Sequence, residues 1–400
     1  MIRYKSDNSD AVLIVSEIAF WREEKGADLR IAGLCRALCG AGFSVGVFFC
    51  AYLTREDRRL LRDRFPGLEV VHPPWSMLFI RMLRRRLGLF RRADEPPSQP
   101  LSWERRIALR RCCLARRPRF LIVEYLWSAY LVAGLREGLS SPPLLILDTL
   151  DVMHLRAARF EEQGIQGAAP ITREDEAAIL STFDVLLAIQ DREATELRAM
   201  CPETPVVTVG YATVPHPPKP EVSAPVRLLF VAGGGTHNRD AILSFIQQVW
   251  VELQAVHGEA IALHIAGHIC SGLDVSSMPP GVVLRGFVED LAPLYGQSHI
   301  AVNPVYAGSG LKIKNVEALC HAVPLVTTSV GAEGLEEGVG NAFVVCDSPE
   351  TMRDALDHLI RDTDARKVLA EGAHAFAQAH LCEAEVYGEL LDFLGRHRCG

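Results

Sequence analysis

The stretch His299–Thr328, HIAVNPVYAGSGLKIKNVEALCHAVPLVTT, restricts the fold of this chain more than any other. His299–Pro304 is a short apolar run that reads as a buried strand, and Tyr306–Gly310 is a glycine-containing loop. From Leu311 the apolar period changes. Val316, Leu319, Cys320 and Val323 recur at helical spacing, so a helix turns one face into a core. Pro324 stops that helix, and Leu325–Thr328 reads as the next strand. Strand, glycine loop, helix and strand form one α/β unit.

The polar residues of the same stretch point to an anion. Gly308 and Gly310 let the backbone approach a ligand closely, and Ser309 is placed to cap the helix and leave its first N–H groups outward. Lys312 and Lys314 put two positive charges into the first turn, where the helix dipole disfavours them. A bound phosphate explains that local conflict better than folding does. Glu317, three residues after Lys314, is placed to take the hydroxyls of a sugar.

GSGLKIKNVEAL followed by GAEGL at Gly331–Leu335 resembles the donor site of the group-1 (family 4) glycosyltransferases of GT-B fold. The resemblance implies an α/β architecture of two Rossmann-like, doubly wound domains facing across a cleft. It implies that Gly308, Ser309, Gly310 and Leu311 hold a nucleotide diphosphate, that Lys312 and Lys314 neutralise it, and that Glu317 binds the ribose. Many members carry a further glutamate eight residues before the second; that position is Ser309 here. The loop GGGTHNRD, before a helix expected from Ala241, matches the family segment under the donor phosphates, which brings in Gly234, Gly235, Thr236 and Asn238. Many members place an arginine and a lysine there, so backbone N–H groups replace charge in this chain. The segment Arg285–Glu289, with Phe287 and Val288, resembles the one whose backbone receives the base.

On the acceptor side, the first strand Ala11–Ser16 leads into a loop with Gly26 and Asp28, a position the family sets near donor and acceptor. No G-x-G-x-x-G follows that strand, so no dinucleotide fingerprint is present. After the strand Leu144–Asp148, DTLDVMHLR has Leu150 where resembling sequences often have histidine, and retains Asp151. Asp148, Asp151, His154 and Arg156 are expected at the mouth of a cleft, with Asp151 either a catalytic or acceptor residue or a cap of the next helix.

Four hundred residues exceed a single core. The expected organisation is an acceptor domain over 1–214, a stiff linker over 215–225, a donor domain over 226–382, and a C-terminal helix over 383–400 that crosses back to the first domain. Pro215, Pro217, Pro218, Pro220 and Pro225 mark the linker. No apolar run is long enough to span a bilayer, MIRYKSDNSD is no signal-peptide core, and eleven cysteines are scattered without paired spacing. A cytoplasmic protein is expected. The net charge of −7 conceals an asymmetry: Arg81–Arg119 holds thirteen arginines against three acids, leaving −17 for the rest. Leucine, methionine, phenylalanine and isoleucine among those arginines suggest amphipathic helices, either with a solvated charged face or docking on a charged acceptor or an anionic membrane at its inner face. Nucleic acid is not expected, since no binding motif accompanies the charge.

The expected function is a retaining, metal-independent glycosyltransferase. It would move a sugar from a nucleotide-diphosphate sugar to a glycan, lipid-linked or protein acceptor, with no cofactor and no metal site. Lys312, Lys314 and Asp151 are the expected catalytic residues. A non-catalytic nucleotide-sugar-binding subunit and a nucleotide-sugar epimerase on the same fold are the alternatives.

Overall fold

The computed structural model describes residues 11–73, 102–162, 170–220 and 225–398. Among these residues the chain forms two parallel sheets, one of seven strands and one of six. Residues 11–157, 170–209 and 387–398 group into one compact unit, and 158–162, 210–220 and 225–386 into a second.

The first unit carries β1 (Ala11–Ser16), β2 (Ser44–Phe49), β3 (Glu69–Val71), β4 (Phe120–Glu124), β5 (Leu144–Asp148), β6 (Val185–Ala188) and β7 (Val206–Thr208). AVLIVS, FLIVE and LLILD are nearly unbroken apolar runs, as strands covered on both faces require. The strand order is β3-β2-β1-β4-β5-β6-β7. The second unit carries β8 (Val226–Val231), β9 (Ile261–Ala266), β10 (Val282–Gly286), β11 (Ile300–Asn303), β12 (Leu325–Thr327) and β13 (Phe343–Val345). Its order, β10-β9-β8-β11-β12-β13, repeats that of the first sheet. In each sheet the order reverses beside the first strand, between β1 and β4 and between β8 and β11. Ligands of such sheets bind outside the carboxyl ends of the strands at that reversal.

Residues 211–216, at the start of the Pro-rich segment, are held to the second unit. The units divide at Val209 and Gly210, five residues before the boundary read from the prolines, and residues 210–220 lie with the second unit. The Thr213 N–H donates to the Leu381 carbonyl at 3.3 Å, the His216 N–H to the Cys320 carbonyl at 2.6 Å, and Tyr211 and Ala212 are buried. Proline forbids a ladder here but not packing. The helix Glu383–Arg396 forms over the expected residues, and from Tyr387 onward it groups with the first unit.

Of the arginine-rich stretch, 81–101 lies outside the described residues. The remainder is the helix Ser102–Arg116 and the turn into β4. Its Ala108, Leu109, Cys112 and Cys113 join the first core. Its arginines mostly have partners within the unit: Arg105 on Glu17 at 2.7 Å, Arg116 on Glu69, and Arg106 and Arg110 on the carbonyls of Ala133 and Glu137. No helix among the described residues is long and apolar enough to cross a membrane.

Candidate functional site

The reversal between β8 and β11 assembles the candidate site of the second unit. After β8 the chain runs through Gly233 and Gly234 to Gly235, which caps a helix over Thr236–Phe245. That helix starts five residues before the Ala241 read from the sequence, so Thr236 and Asn238 belong to its first turn rather than to a loop. Asn238 is the connector: its Nδ2 donates to the Gly233 carbonyl at 3.3 Å, and its Oδ1 accepts from Lys314 Nζ at 2.8 Å. One side chain thereby ties the helix after β8 to the helix after β11.

After β11 the loop is longer than expected. Gly308 and Gly310 take φ of 116° and 72°, left-handed values that glycine alone adopts without strain. The chain then stays extended through Lys312, and the helix covers Ile313–Cys320. Lys312 is its N-cap residue and no side chain caps it. Ser309 therefore does not cap this helix. It sits in the loop because the left-handed turn at Gly310 postpones the first helical residue.

The two lysines diverge. Lys312 Nζ turns back to the Gly310 carbonyl at 2.6 Å and lies 3.7 Å from Glu333 Oε2. Lys314 points inward to Asn238 and lies 4.8 Å from the centroid of the Phe230 ring. Burial, then the nearby Lys312 charge, lowers the Lys314 ammonium from 10.5 to about 7. An anion beside it would reverse that shift. Val316, Leu319, Cys320 and Val323 are buried, as their spacing predicts. On the same helix Glu317 is partly buried and its carboxyl is pushed up to about 7, mainly by burial, against a lowering hydrogen bond from Tyr295.

Two charged residues that sequence reasoning missed complete this corner. Arg159, grouped with the second unit, donates to Glu333 from Nη1, 2.8 Å from Oε1 and 3.0 Å from Oε2. The same nitrogen lies 3.4 Å from the Gly308 carbonyl. Glu333 of the GAEGL segment is 9% exposed and sits between Arg159 and Lys312. Its loop is pinned by Asn315, fully buried, whose Nδ2 donates to the Gly331 carbonyl at 2.7 Å and to Thr327 Oγ1 at 3.2 Å. Two cations, Arg159 and Lys312, thus border the Gly308–Gly310 loop. Beyond β10, Phe287 is 53% exposed and stacks on His268 at 4.6 Å, while Val288 and Leu311 are partly buried.

In the first unit the expected residues take distinct partners. Asp148 is fully buried and paired with Arg30, whose other amino group donates to the Val209 carbonyl at 2.6 Å. It does not face a cleft. The carboxyl of neighbouring Glu124 is raised by burial first and by Asp148 second, so it holds its proton. Asp151 pairs with Arg156 at 2.7 Å. His154 Nδ1 lies 2.8 Å from Glu176, and that carboxylate also accepts the N–H groups of Met153 and His154 at 2.8 Å each. Glu176 therefore holds the start of the helix Met153–Glu162. Gly26 is the first residue of the helix Gly26–Gly40, and Asp28 accepts the Glu24 and Lys25 N–H groups at 3.1 Å. Asp28 is in these contacts a helix cap, as its early position in the helix favours.

Residues 225–362 match the model of the family described as Glycosyl transferases group 1. Solved structures share the fold over almost the whole chain. The sucrose-phosphate synthase of Thermosynechococcus elongatus is 14% identical with a TM-score of 0.66, covering 96% of this chain and 97% of its own. Anabaena HepE, in complex with UDP and glucose, is 12% identical with a TM-score of 0.67 over 96% and 99%. The pneumococcal O-GlcNAc transferase GtfA, with UDP and GlcNAc, is 10% identical with a TM-score of 0.66 over 97% and 99%. Residues 225–362 are a group 1 glycosyltransferase domain, in a chain of GT-B fold. A curated relative of Klebsiella pneumoniae, an uncharacterized 44.6 kDa protein in the cps region, is 26% identical over 102 residues. That match spans about a quarter of each chain, 26% of both. The glycine loop, Lys312, Lys314 and Glu317 lie inside the family match; Arg159 and the residues of the first unit lie outside it.

Proposed function

We propose that the protein is a retaining glycosyltransferase that takes a sugar from a nucleotide-diphosphate donor and passes it to a glycan, lipid-linked or protein acceptor. The observation that carries this reading is the cation excess at the Gly308–Gly310 loop. Lys312 and Arg159 share the carboxylate of Glu333 there, and Lys314, held by Asn238 on the other side of the helix start, adds a further cation whose ammonium burial and the Lys312 charge lower to about 7. A site of that kind gains most from a multiply charged anion.

As the glycosidic bond of the donor breaks, negative charge grows on the departing diphosphate. Donors fixed before reaction cost no reorganisation at that moment, and each is worth about 3 kcal/mol in a barrier. Lys314 is the strongest candidate, since the Asn238 contact holds it before substrate arrives. The backbone N–H groups of the Gly233–Gly235 turn and of the helix start at Thr236 would meet the same diphosphate. Glu317 would accept the ribose hydroxyls. No residue of this scheme requires a divalent ion.

UDP-sugars are the first donors to test, because HepE and GtfA were solved with UDP. Incubation with UDP-, GDP-, ADP- and CDP-sugars should release nucleoside diphosphate slowly with one nucleotide class, and proton NMR of the glycosylated product should give the donor's own anomeric configuration. Release of an epimerised nucleotide sugar, or binding with no turnover in the presence of acceptors, would replace this reading with an epimerase or a binding subunit.

A further inference from the structure

The Glu317 carboxylate is supported from behind by a column of three rings. Tyr295, on the short helix Ala292–Gly296, is 2% exposed, and its Oη lies 3.3 Å from Glu317 Oε2 and 3.3 Å from the Lys314 carbonyl. Its ring stacks on His321, with centroids 4.9 Å apart and planes 13° from parallel. His321, the residue that ends the Glu317 helix, stacks in turn on His216 at 4.7 Å and 6°. The Pro-rich segment anchors the far end, since the His216 N–H donates to the Cys320 carbonyl of the same helix.

The protonation states suit a fixed donor. Burial holds the Tyr295 phenol well above its usual range, with the Glu317 charge second, so its proton is retained. Burial lowers His321 to about 4, so the ring that stacks on Tyr295 is neutral near pH 7. The phenol has one proton and two acceptors in reach, and above about pH 7, where Glu317 is ionised, its carboxylate outcompetes an amide carbonyl. A Tyr295 bond to Oε2 leaves Oε1 and a lone pair of Oε2 for a vicinal diol. The packed column prevents the phenol from swinging away, and so prevents Glu317 from changing rotamer to follow it.

We propose that Tyr295, clamped by the His216–His321 stack, is a positioning residue that holds the Glu317 carboxylate in the orientation that meets the ribose hydroxyls of the donor nucleotide. The inference rests on the reading that Glu317 faces the ribose. It also gives residues 210–220 a role beyond connecting strands: their His216 is the base of the column.

Tyr295→Phe tests this while preserving the stacked ring and the fold. UDP, GDP, ADP and CDP, each with its 2′,3′-dideoxy counterpart, are titrated calorimetrically into the unaltered protein and the variant. For the preferred nucleotide, the unaltered protein should favour the ribose form by about tenfold or more, the worth of hydrogen bonds to a charged group. In Tyr295→Phe that ratio should fall to a few-fold, through weaker ribose binding alone, with the melting temperature nearly unchanged. An unchanged ratio overturns the inference and leaves the role of Glu317 standing. Equal weakening of both forms also overturns it, since it would mark general support of the pocket. A ratio near one in the unaltered protein, with Glu317→Gln as control, removes the ribose reading and the inference together.

Discussion

Replacing Lys314 with methionine should make the protein more stable near neutral pH while it loses its affinity for diphosphate. An unfolded lysine keeps its proton up to about 10.5, whereas the buried one releases it near 7. Between those values the unfolded state binds more protons, so this group's cost is fully present below pH 7 and disappears above about 10.5. At 1.36 kcal/mol per pKa unit the cost at pH 7 is about 4 kcal/mol. Methionine fills a similar volume and removes that cost, but it also removes the bond to Asn238 Oδ1 and the contact with the Phe230 ring. Those losses are worth about 1.5–3 and about 0.5–1 kcal/mol. The net gain is about 1 kcal/mol, or roughly 2–4 °C in the melting of the second unit. The gain should shrink as pH rises above 7, because the folded lysine is by then neutral and only the unfolded one still binds a proton. Differential scanning calorimetry of Lys314→Met across pH 6–10 reads this directly. Titration of the native protein with the preferred nucleoside diphosphate at pH 8, in two buffers of different ionisation enthalpy, should show uptake of close to one proton, absent in the variant. A variant that melts lower at pH 7, together with no proton uptake by the native protein, would refute the argument.

The other expectations follow the same residues. Glu317→Ala should weaken nucleotide binding by about 1.5–3 kcal/mol in calorimetry, with melting little changed. Arg159→Gln removes a cation that lies on Glu333 and beside the Gly308 carbonyl, and diphosphate affinity should drop about tenfold while affinity for the bare nucleoside stays the same. Arg30→Met strands the buried Asp148 charge and should cost about 3–5 kcal/mol in urea unfolding of the first unit, with diphosphate binding intact. Gly267→Ala, at φ 103° with the added Cβ 2.3 Å from the Ala232 carbonyl oxygen, should destabilise the second unit by more than about 2 kcal/mol in the same assay.

What the sequence discloses of this protein is what repeats locally. The apolar runs of β1, β4 and β5 and the spacing of Val316, Leu319, Cys320 and Val323 announce buried strands and a one-sided helix, because both patterns follow from burial alone. Lys312 and Lys314 announce an anion because they contradict the helix dipole beside them. The helix start is different. A left-handed Gly310 delays it to Ile313, and an isolated glycine does not say whether it opens a helix or holds off the next one. Long-range pairing is hidden entirely. Asp148 finds Arg30 across 118 residues, His154 finds Glu176 across 22, and Arg159 finds Glu333 across 174. Nothing in the sequence names the partner of any of these carboxylates. The early position of Asp28 in its helix was a visible signal of a cap, outweighed by the resemblance of its loop.

The two units put the same topology to opposite electrostatic use. In each, the helix after the first strand reaches the elements beyond the reversal of the sheet through one polar side chain: Arg30 in the first unit, Asn238 in the second. Arg30 meets Asp148 and the Val209 carbonyl, and the adjoining Glu124 stays protonated, so that charge is balanced inside the fold. Asn238 is neutral and meets a lysine. It orients Lys314 without neutralising it, and Glu333 has both Lys312 and Arg159 to satisfy. A buried charge left without a matching opposite charge is expensive unless something else supplies that charge. The first unit therefore has its anion built in, whereas on the proposed function the second takes one from solution. Exchanging the two solutions tests the contrast: Asn238→Asp should neutralise Lys314, raise its pKa, stabilise the second unit at pH 7 and abolish diphosphate binding. If Asn238→Asp binds diphosphate as tightly as the native protein, Lys314 is not where the anion goes.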